Sequence, residues 1–304
     1  MTVITINDSQ RNGKIYDGNT RKFGVTINNR DFIVKFAKKN DMSVYSEYIA
    51  SNFIASLGIP CHKVFLGNYK GEIVDVMLDF TKDNNASLHS FKDTKQSSED
   101  TELTNKEYTY NDIIYLIDKH LKMTDSDKLE AKKQFWNMFI CDAIIGNRDR
   151  HWGNWGYLEI SGKYKFAPLY DNGAGLFPGV NKVMDQYVNI HTRKNFLYDR
   201  VFVFPASLFK IQRPDRSYRS NYKEMFSDLR THKLLAQQVR QIKEKVSYRQ
   251  VFDIMQVICK TVPLEVYYRR FYIEITTLRY MCIILRLDFD KSYNLLERAL
   301  KNYG

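Results

Sequence analysis

Apolar and polar residues alternate in short runs over the first eighty residues of the chain. An alternation with a period of two that is followed by turn residues predicts a strand, and it occurs in four segments: 24–28, 31–37, 64–69 and 73–80. Asn28-Asn29 and Lys70-Gly71 supply turn residues typical of antiparallel hairpins. A helix is predicted between the second and third strands, since Ser43 can cap it and Gly58-Ile59-Pro60 ends it after Leu57.

The rest of the chain is predicted to be mainly helical. Residues 81–109 are polar and charged with little periodicity, which indicates a surface connector or an insertion. A buried helix is predicted over 126–145 because apolar residues recur there at helical spacing, namely Leu129, Trp136, Phe139, Ala143 and Ile144. A short hairpin over 157–166 should follow, and then an extended loop over 172–204. After Pro205 the pattern predicts helix to the end, most clearly in 232–246 and 263–287.

Length and composition indicate a globular protein of 304 residues, 44% of them apolar. The four cysteines form no CxxC pair, which gives no zinc site or disulfide framework. The N-terminus shows no signal-peptide pattern, and no segment approaches the roughly 18 apolar residues of a membrane span. These features predict a soluble, cytoplasmic protein. Secretion by a route that needs no signal peptide is the alternative.

The net charge of +11 is concentrated in the C-terminal half, where residues 181–304 contain 23 Lys and Arg against 12 Asp and Glu. Such a half could bind nucleic acid or an anionic membrane surface. The charges alternate with apolar residues along predicted helices, which is typical of solvated helix faces. A non-catalytic nucleic-acid-binding module is therefore kept as a minor alternative.

The motif with the most specific chemistry lies directly after the buried helix. Asp149 is followed five residues later by Asn154, and Asp171 stands after the predicted hairpin. Phosphoryl transfer from ATP needs a carboxylate that orients the attacking hydroxyl, and an amide and a second carboxylate that hold Mg²⁺. The pattern predicts Asp149 as the base and Asn154 and Asp171 as metal ligands. Taken alone, Asp171-Asn172-Gly173 is also a common turn.

Lys35 and Glu47 are predicted to form a second part of the same site. Lys35 lies in a strand whose neighbouring side chains are apolar, where an ammonium group is costly unless an anion meets it. Glu47 falls on the face of the following helix that is expected to meet the sheet. A Lys–Glu pair that reaches ATP phosphates explains both residues, and an edge-strand lysine with a solvent-facing glutamate is the alternative.

A third candidate is the loop between the first strands, residues 18–24. Gly18, Asn19, Thr20 and Lys22 could cover the phosphates with backbone amides and a charge. The loop is neither a GxGxxG nor a Walker sequence, so by itself it is an ordinary hairpin loop. His151 is predicted to orient the Asp149 loop by hydrogen bonds, as part of the nucleotide-binding set.

These motifs together resemble the HipA-like serine/threonine protein kinases, and among them the short, CtkA-like members. The resemblance rests on Asn147-x-Asp149-Arg150-His151-x-x-Asn154 and on Ala167-Pro168-Leu169-Tyr170-Asp171. It extends to the loop over 18–24, the Lys35 strand, the Glu47 helix and Met77-Leu78-Asp79-Phe80, where the family places its interlobe hinge. It covers about residues 15–300, and the specific motifs all lie in the first 180.

The resemblance implies an α+β, two-lobed, protein-kinase-like fold. The N-lobe would be residues 1–80, an antiparallel sheet with one helix, and the larger, mostly helical C-lobe would be residues 81–304. It also implies ATP and Mg²⁺ as cofactors, a protein substrate bearing Ser or Thr, and nucleotide contacts from Met77, Asp79 and Phe80. Autophosphorylation would fall on Thr20, and an antitoxin-like partner is a further implication.

The motif Asp149-Arg150-His151-x-x-Asn154 also resembles the catalytic loop of phosphoinositide kinases. A lipid kinase is therefore the second interpretation of the sequence. It predicts a basic patch beside the loop over 172–200, where Lys182, Arg193, Lys194 and Arg200 are available.

Overall fold

A curled five-stranded sheet forms the N-terminal part of the chain. The structure is a computed structural model, and it describes residues 3–16, 20–96, 109–120, 122–212 and 217–301. The strands lie in the order β1-β4-β5-β3-β2, with the bounds Ile4–Ile6 (β1), Lys22–Ile27 (β2), Arg30–Phe36 (β3), Val64–Tyr69 (β4) and Glu72–Leu78 (β5). The four predicted strands are confirmed with small shifts at their ends. The edge strand β1 was not predicted, and it pairs parallel to β4, whereas the other pairs are antiparallel.

Helix α1, Ser43–Ser56, packs on one face of this sheet as the sequence predicted. Its buried apolar residues include Ile49, Phe53 and Ile54, which join the main core. Alternate residues of the strands, such as Val34 and Val76, form a separate apolar cluster on the other face of the sheet. Because strand side chains alternate between faces, Lys35 points to the face that carries α1.

The segment after the sheet contains regular structure that the sequence analysis did not predict. It forms helices α2 (Phe80–Asp83) and α3 (Phe91–Gln96) with strand β6 (Ser87–Ser90) between them. β6 pairs with β7 (Gly156–Ile160), and β7 pairs with β8 (Lys163–Phe166), so the three strands form one sheet. The sequence pattern predicted a surface connector or an insertion here and indicated no helix or strand in these residues. The contacts that hold this segment come from residues distant in sequence. Buried Phe91, for example, stacks on Trp155 with ring centroids 4.0 Å apart.

Helices dominate the remainder of the described chain. They are α4 (Tyr110–Lys119), α5 (Asp125–Ile145), α6 (Met184–Val188), α7 (Arg193–Phe202), α8 (Tyr222–Asp228), α9 (Lys233–Lys245), α10 (Tyr248–Lys260), α11 (Val266–Arg279) and α12 (Phe289–Lys301). A π-helical segment, Tyr280–Ile284, follows α11. Helix α5 is central and buried over its second half, but Leu129 near its start is 43% exposed, so its expected place in the core was wrong.

Two predictions for the C-terminal half were wrong. The segment over 172–204 contains helices α6 and α7 rather than an extended loop. Directly after Pro205 the chain forms a hairpin of β9 (Ala206–Gln212) and β10 (Ser217–Asn221) before helix resumes. Phe209 of β9 is buried beside Phe135 of α5, with ring centroids 5.4 Å apart, so a tertiary contact outweighs the local helical pattern. Among the described residues, no helix combines the length and the hydropathy needed to cross a membrane.

Candidate active site

Lys35 on β3 meets two carboxylates, one from helix α1 and one from the segment that follows β8. Its Nζ lies 2.5 Å from Oδ1 of Asp171 and 3.8 Å from Oε2 of Glu47. The lysine side chain is only 16% exposed. Burial alone would lower the pKa of Lys35, but the charges of Glu47 and Asp171 outweigh it and raise that pKa above its usual value. Lys35 therefore stays protonated and holds two distant segments together.

Glu47 joins helix α1 to the backbone that follows Asp171. Its carboxylate is fully buried and accepts hydrogen bonds from the backbone N–H of Asn172 at 2.9 Å and of Gly173 at 2.7 Å. It also contacts Nε2 of His62 at 2.8 Å. Burial would raise the pKa of Glu47, but the hydrogen bond and charge of His62 and the charge of Lys35 bring it well below its usual value. Glu47 is therefore an ionised anchor as well as the partner of Lys35.

The loop that carries Asp149 begins where α5 ends at Gly146, whose φ of 65° is left-handed. The side chain of Asn147 accepts the backbone N–H of Asp149 at 3.0 Å and donates to Asp142 at 3.0 Å. Nδ2 of Asn154 donates to the backbone carbonyl of Asp149 at 2.8 Å. These bonds fix the loop backbone, while the half-buried Asp149 carboxylate accepts no hydrogen bond from the part of the chain that the structure describes.

Arg150 is a structural centre that the sequence analysis did not identify. Its buried guanidinium forms an ion pair with Asp142 at 2.8 Å and donates to the backbone carbonyls of Asn154 at 2.9 Å and Tyr170 at 2.7 Å. It also donates to Oδ1 of Asn172 at 2.6 Å. Arg150 thus connects the loop of Asp149 to the loop of Asp171. One signal was available, since Asp142 is a lone acid in the apolar run Ile140-Cys141-Asp142-Ala143-Ile144.

Asn154 and Asp171 offer oxygen atoms of the kind that Mg²⁺ prefers. Since Nδ2 of Asn154 must face the carbonyl to which it donates, the amide oxygen is turned away from it and accepts no bond from the described residues. Asp171 is 40% exposed, adopts a left-handed φ of 55°, and uses Oδ1 for Lys35. The donor set therefore fits a divalent cation that also binds phosphate oxygens. Within the described ranges, no group of three or more His, Cys, Asp or Glu residues could hold a metal by itself.

The residues predicted to form the interlobe hinge lie near the segment that carries Asp171. Met77 is buried, and the half-buried ring of Phe80 lies 6.1 Å from the ring of Tyr170, next to Asp171. The Asp79 side chain caps α2, because it accepts a hydrogen bond from the backbone N–H of Thr81. It also accepts a hydrogen bond from the hydroxyl of Tyr16 at 3.1 Å. These bonds occupy the Asp79 carboxylate.

The loop over 18–24 is described only in part, because Gly18 and Asn19 lie outside the described residues. Thr20 is half-buried, and Lys22 opens β2 directly opposite Lys35. His151 is exposed, and its Nδ1 accepts the backbone N–H of Gly153 at 3.1 Å. The structure therefore brings Lys35 into contact with both Glu47 and Asp171, and it joins Asp149 to Asn154 through one hydrogen bond.

A curled sheet with one packed helix, followed by a mainly helical second part, is the arrangement of a protein-kinase-like fold. Residues 16–199 match the HipA-like C-terminal domain family. The match covers more than half of the chain, so the chain belongs to this family.

Two comparisons relate the chain to a kinase of Helicobacter pylori. It is 34% identical over 214 residues to the serine/threonine-protein kinase CtkA of that organism, an alignment that covers 67% of this chain and 63% of that protein's length. The crystal structure of the H. pylori proinflammatory kinase CtkA matches with a TM-score of 0.81 and 28% identity, over 93% of this chain and 96% of that one. The predicted α+β, two-lobed kinase-like fold and the resemblance to CtkA-like proteins are therefore confirmed.

A third relative shares the fold at low identity. HipA of Shewanella oneidensis MR-1, solved with HipB and operator DNA, matches with a TM-score of 0.57 and 15% identity, over 95% of this chain and 68% of that one. This likeness concerns the fold alone. The antitoxin-like partner stays a prediction.

Proposed function

We propose that this chain is a protein kinase that uses Mg²⁺ and ATP to phosphorylate Ser or Thr residues of protein substrates, including its own. The observation that carries the proposal is the contact of Lys35 with both Glu47 and Asp171, together with an Asp149 carboxylate that accepts no hydrogen bond from the described residues. Similarity to a serine/threonine kinase over 67% of the chain supports the same activity.

The residues of the site divide the work of phosphoryl transfer. Asp149 accepts the hydrogen bond of the substrate hydroxyl and takes its proton. Asn154 and Asp171 would hold Mg²⁺, which neutralises charge on the phosphates when it is bound. Lys35 orients the phosphates, which compete with Asp171 for its ammonium group. Glu47 positions Lys35 through its charge and positions the backbone after Asp171 through two hydrogen bonds.

The remaining nucleotide contacts come from two other segments. Met77 and Phe80, with the backbone of Asp79, would border the base of the nucleotide. Thr20 and Lys22, with Gly18 and Asn19, would cover the phosphates from the loop before β2. His151 holds the Asp149 loop through its bond with Gly153.

The test is incubation of the purified protein with radiolabelled ATP and Mg²⁺, with Asp149→Asn as the matched inactive variant. Labelled Ser or Thr in the protein or in an added protein mixture supports the proposal, and mapping the phosphosites tests Thr20 directly. Label that enters only phosphatidylinositol vesicles would favour the lipid-kinase interpretation. No transfer from ATP to any acceptor, with folded protein, would overturn the proposal.

A further inference from the structure

A cavity of about 470 Å³ opens beside the Asp149 loop. One wall is the loop itself, through Gly146 and Arg148, and another is the segment after Asp171, through Phe177 and Val180. The third wall comes from α7 and the β9–β10 hairpin. Three arginines line the cavity among otherwise mainly apolar residues, namely Arg148, Arg200 and Arg219.

Arg200 is a buried cation that forms no ion pair with any carboxylate of the described residues. Arg200 is only 9% exposed. Its guanidinium carbon lies 3.2 Å from the ring centroid of Phe196 and 5.1 Å from that of Phe204. Nη1 donates to the carbonyl of Phe196 at 3.1 Å, whereas Nε is buried with no hydrogen-bond partner among the described residues. Burial lowers the pKa of Arg200 to about 10. A guanidinium that is buried without a carboxylate is costly, so an anion entering the cavity would recover part of that cost.

Arg148 adds a charge at the mouth of the cavity. It is exposed and forms no hydrogen bond or ion pair with the rest of the described chain. It directly precedes Asp149, which the proposed function places at the acceptor hydroxyl. Because an extended peptide advances about 3.3–3.6 Å per residue, a substrate side chain within about three residues of an acceptor at Asp149 lies within reach of the neighbouring Arg148.

We propose that this cavity binds an anionic side chain of the polypeptide substrate, close in sequence to the acceptor Ser or Thr. The anion is a carboxylate of Asp or Glu or a phosphorylated hydroxyl, and Arg200 and Arg148 bind it by charge-assisted hydrogen bonds. Apolar walls around Arg200 remove water and strengthen the interaction. This inference rests on the proposed function and adds a substrate preference to it.

The experiment compares Ser-centred peptides that differ at one flanking position, where Ala, Asp, Glu, phosphoserine or Lys is placed. For the wild-type protein, an acidic residue at one or two positions within about three residues of the acceptor should raise kcat/KM about tenfold over Ala, as expected for a hydrogen bond to a buried charge. The Asp and phosphoserine arms distinguish the two sources of the anion.

Variants connect this preference to the cavity. Arg200→Met and Arg148→Ala should each reduce the ratio of acidic to Ala peptide, and Arg148→Glu should favour Lys at the same position. Arg148 is exposed, so its variants report on the cavity even where Arg200→Met impairs folding. The matched control is Arg240→Ala on α9, an exposed arginine outside the cavity, which should keep the wild-type ratio.

The outcomes separate this inference from the proposed function. If the protein phosphorylates itself and peptides but no acidic position improves a peptide, the cavity proposal is wrong and the kinase assignment stands. The same holds if the acidic preference survives both Arg200→Met and Arg148→Glu. If phosphate is transferred to no acceptor, both proposals are wrong.

Discussion

Glu47 accepts the backbone N–H of Gly173 at 2.7 Å, although 126 residues separate the two. The same carboxylate also accepts the N–H of Asn172. Helix α1 therefore holds the backbone that follows Asp171, and the position of this proposed metal ligand depends on Glu47, a residue of the helix that packs on the N-terminal sheet. This coupling makes Glu47 more than a partner of Lys35.

Glu47→Gln should destabilise the folded protein. The amide keeps the shape of the side chain but loses the charge that Lys35 faces, and it cannot accept at both of its ends. Breaking one partner of a buried charge network typically costs about 3–5 kcal/mol. Chemical denaturation should show this loss, and Glu244→Gln on the exposed surface of α9 is the control. An unchanged unfolding midpoint would show that Glu47 does not anchor the loop.

Lys35→Ala and Glu47→Ala should both impair turnover, and their effects should not add. Because Lys35 acts on the phosphates and Glu47 partly acts through Lys35, the double variant should lose little more than the more severe single variant. A double-mutant cycle on kcat/KM measures the coupling. Strictly additive losses would mean that the two residues act separately.

Asp149→Asn should remove most phosphoryl transfer while the fold stays intact. The amide cannot take the proton of the hydroxyl, and loss of a general base typically lowers the rate by about 10²–10⁴. The hydrogen bonds of the loop use the backbone of Asp149, so its stability should change little. Rates of autophosphorylation at equal thermal stability check this, and a near wild-type rate would exclude Asp149 as the base.

Asn154→Ala and Asp171→Asn should change the Mg²⁺ requirement, whereas Asp149→Asn should not. Each removes a proposed oxygen ligand, so more Mg²⁺ is needed to reach half-maximal activity. Asn154→Ala also deletes the bond to the Asp149 carbonyl, so its maximal rate should fall as well. Mg²⁺ titrations of the three variants separate these effects. Superimposable titration curves for all of them would contradict the metal site.

Asp75 should make stability depend on pH. It lies opposite Lys35 on β5, is 1% exposed, and its Oδ1 has no hydrogen-bond partner in the described chain. Burial, and then the charge of Glu47, raise the pKa of Asp75 well above the ordinary 3.8. The folded state therefore holds this proton where the unfolded state releases it. The contribution of Asp75 to the free energy of unfolding is therefore greatest below pH 3.8. It falls by up to about 1.4 kcal/mol per pH unit as the pH rises toward the pKa of Asp75 in the folded state.

Asp75→Asn imitates the protonated form and should remove that fall. The melting temperature of the variant relative to wild type should thus increase as pH rises from 4 toward neutrality, in the range set by the raised pKa. Asp253→Asn, at an exposed position on α10, is the control and should show no such trend. A constant difference between Asp75→Asn and wild type across the series would refute the prediction.

The sequence by itself determined the local elements of the site. Alternation and turn residues predicted four strands and helix α1, because these depend on contacts between near neighbours. The spacing of Asp149, Asn154 and Asp171 predicted phosphoryl-transfer chemistry, since a loop and a hairpin determine those offsets along the chain. The buried position of Lys35 implied an anion nearby for the same local reason.

Only the tertiary structure decided which distant groups meet. Three relationships depend on packing between segments far apart in sequence. Asp171 is the nearest partner of Lys35, Arg150 links two loops, and β6 pairs with β7. The β9–β10 hairpin formed against a local helical pattern because Phe209 packs on α5. Arg200 likewise resembles any solvated arginine in the sequence, and only the folded chain buries its guanidinium among aromatic rings, where no carboxylate of the described residues pairs with it.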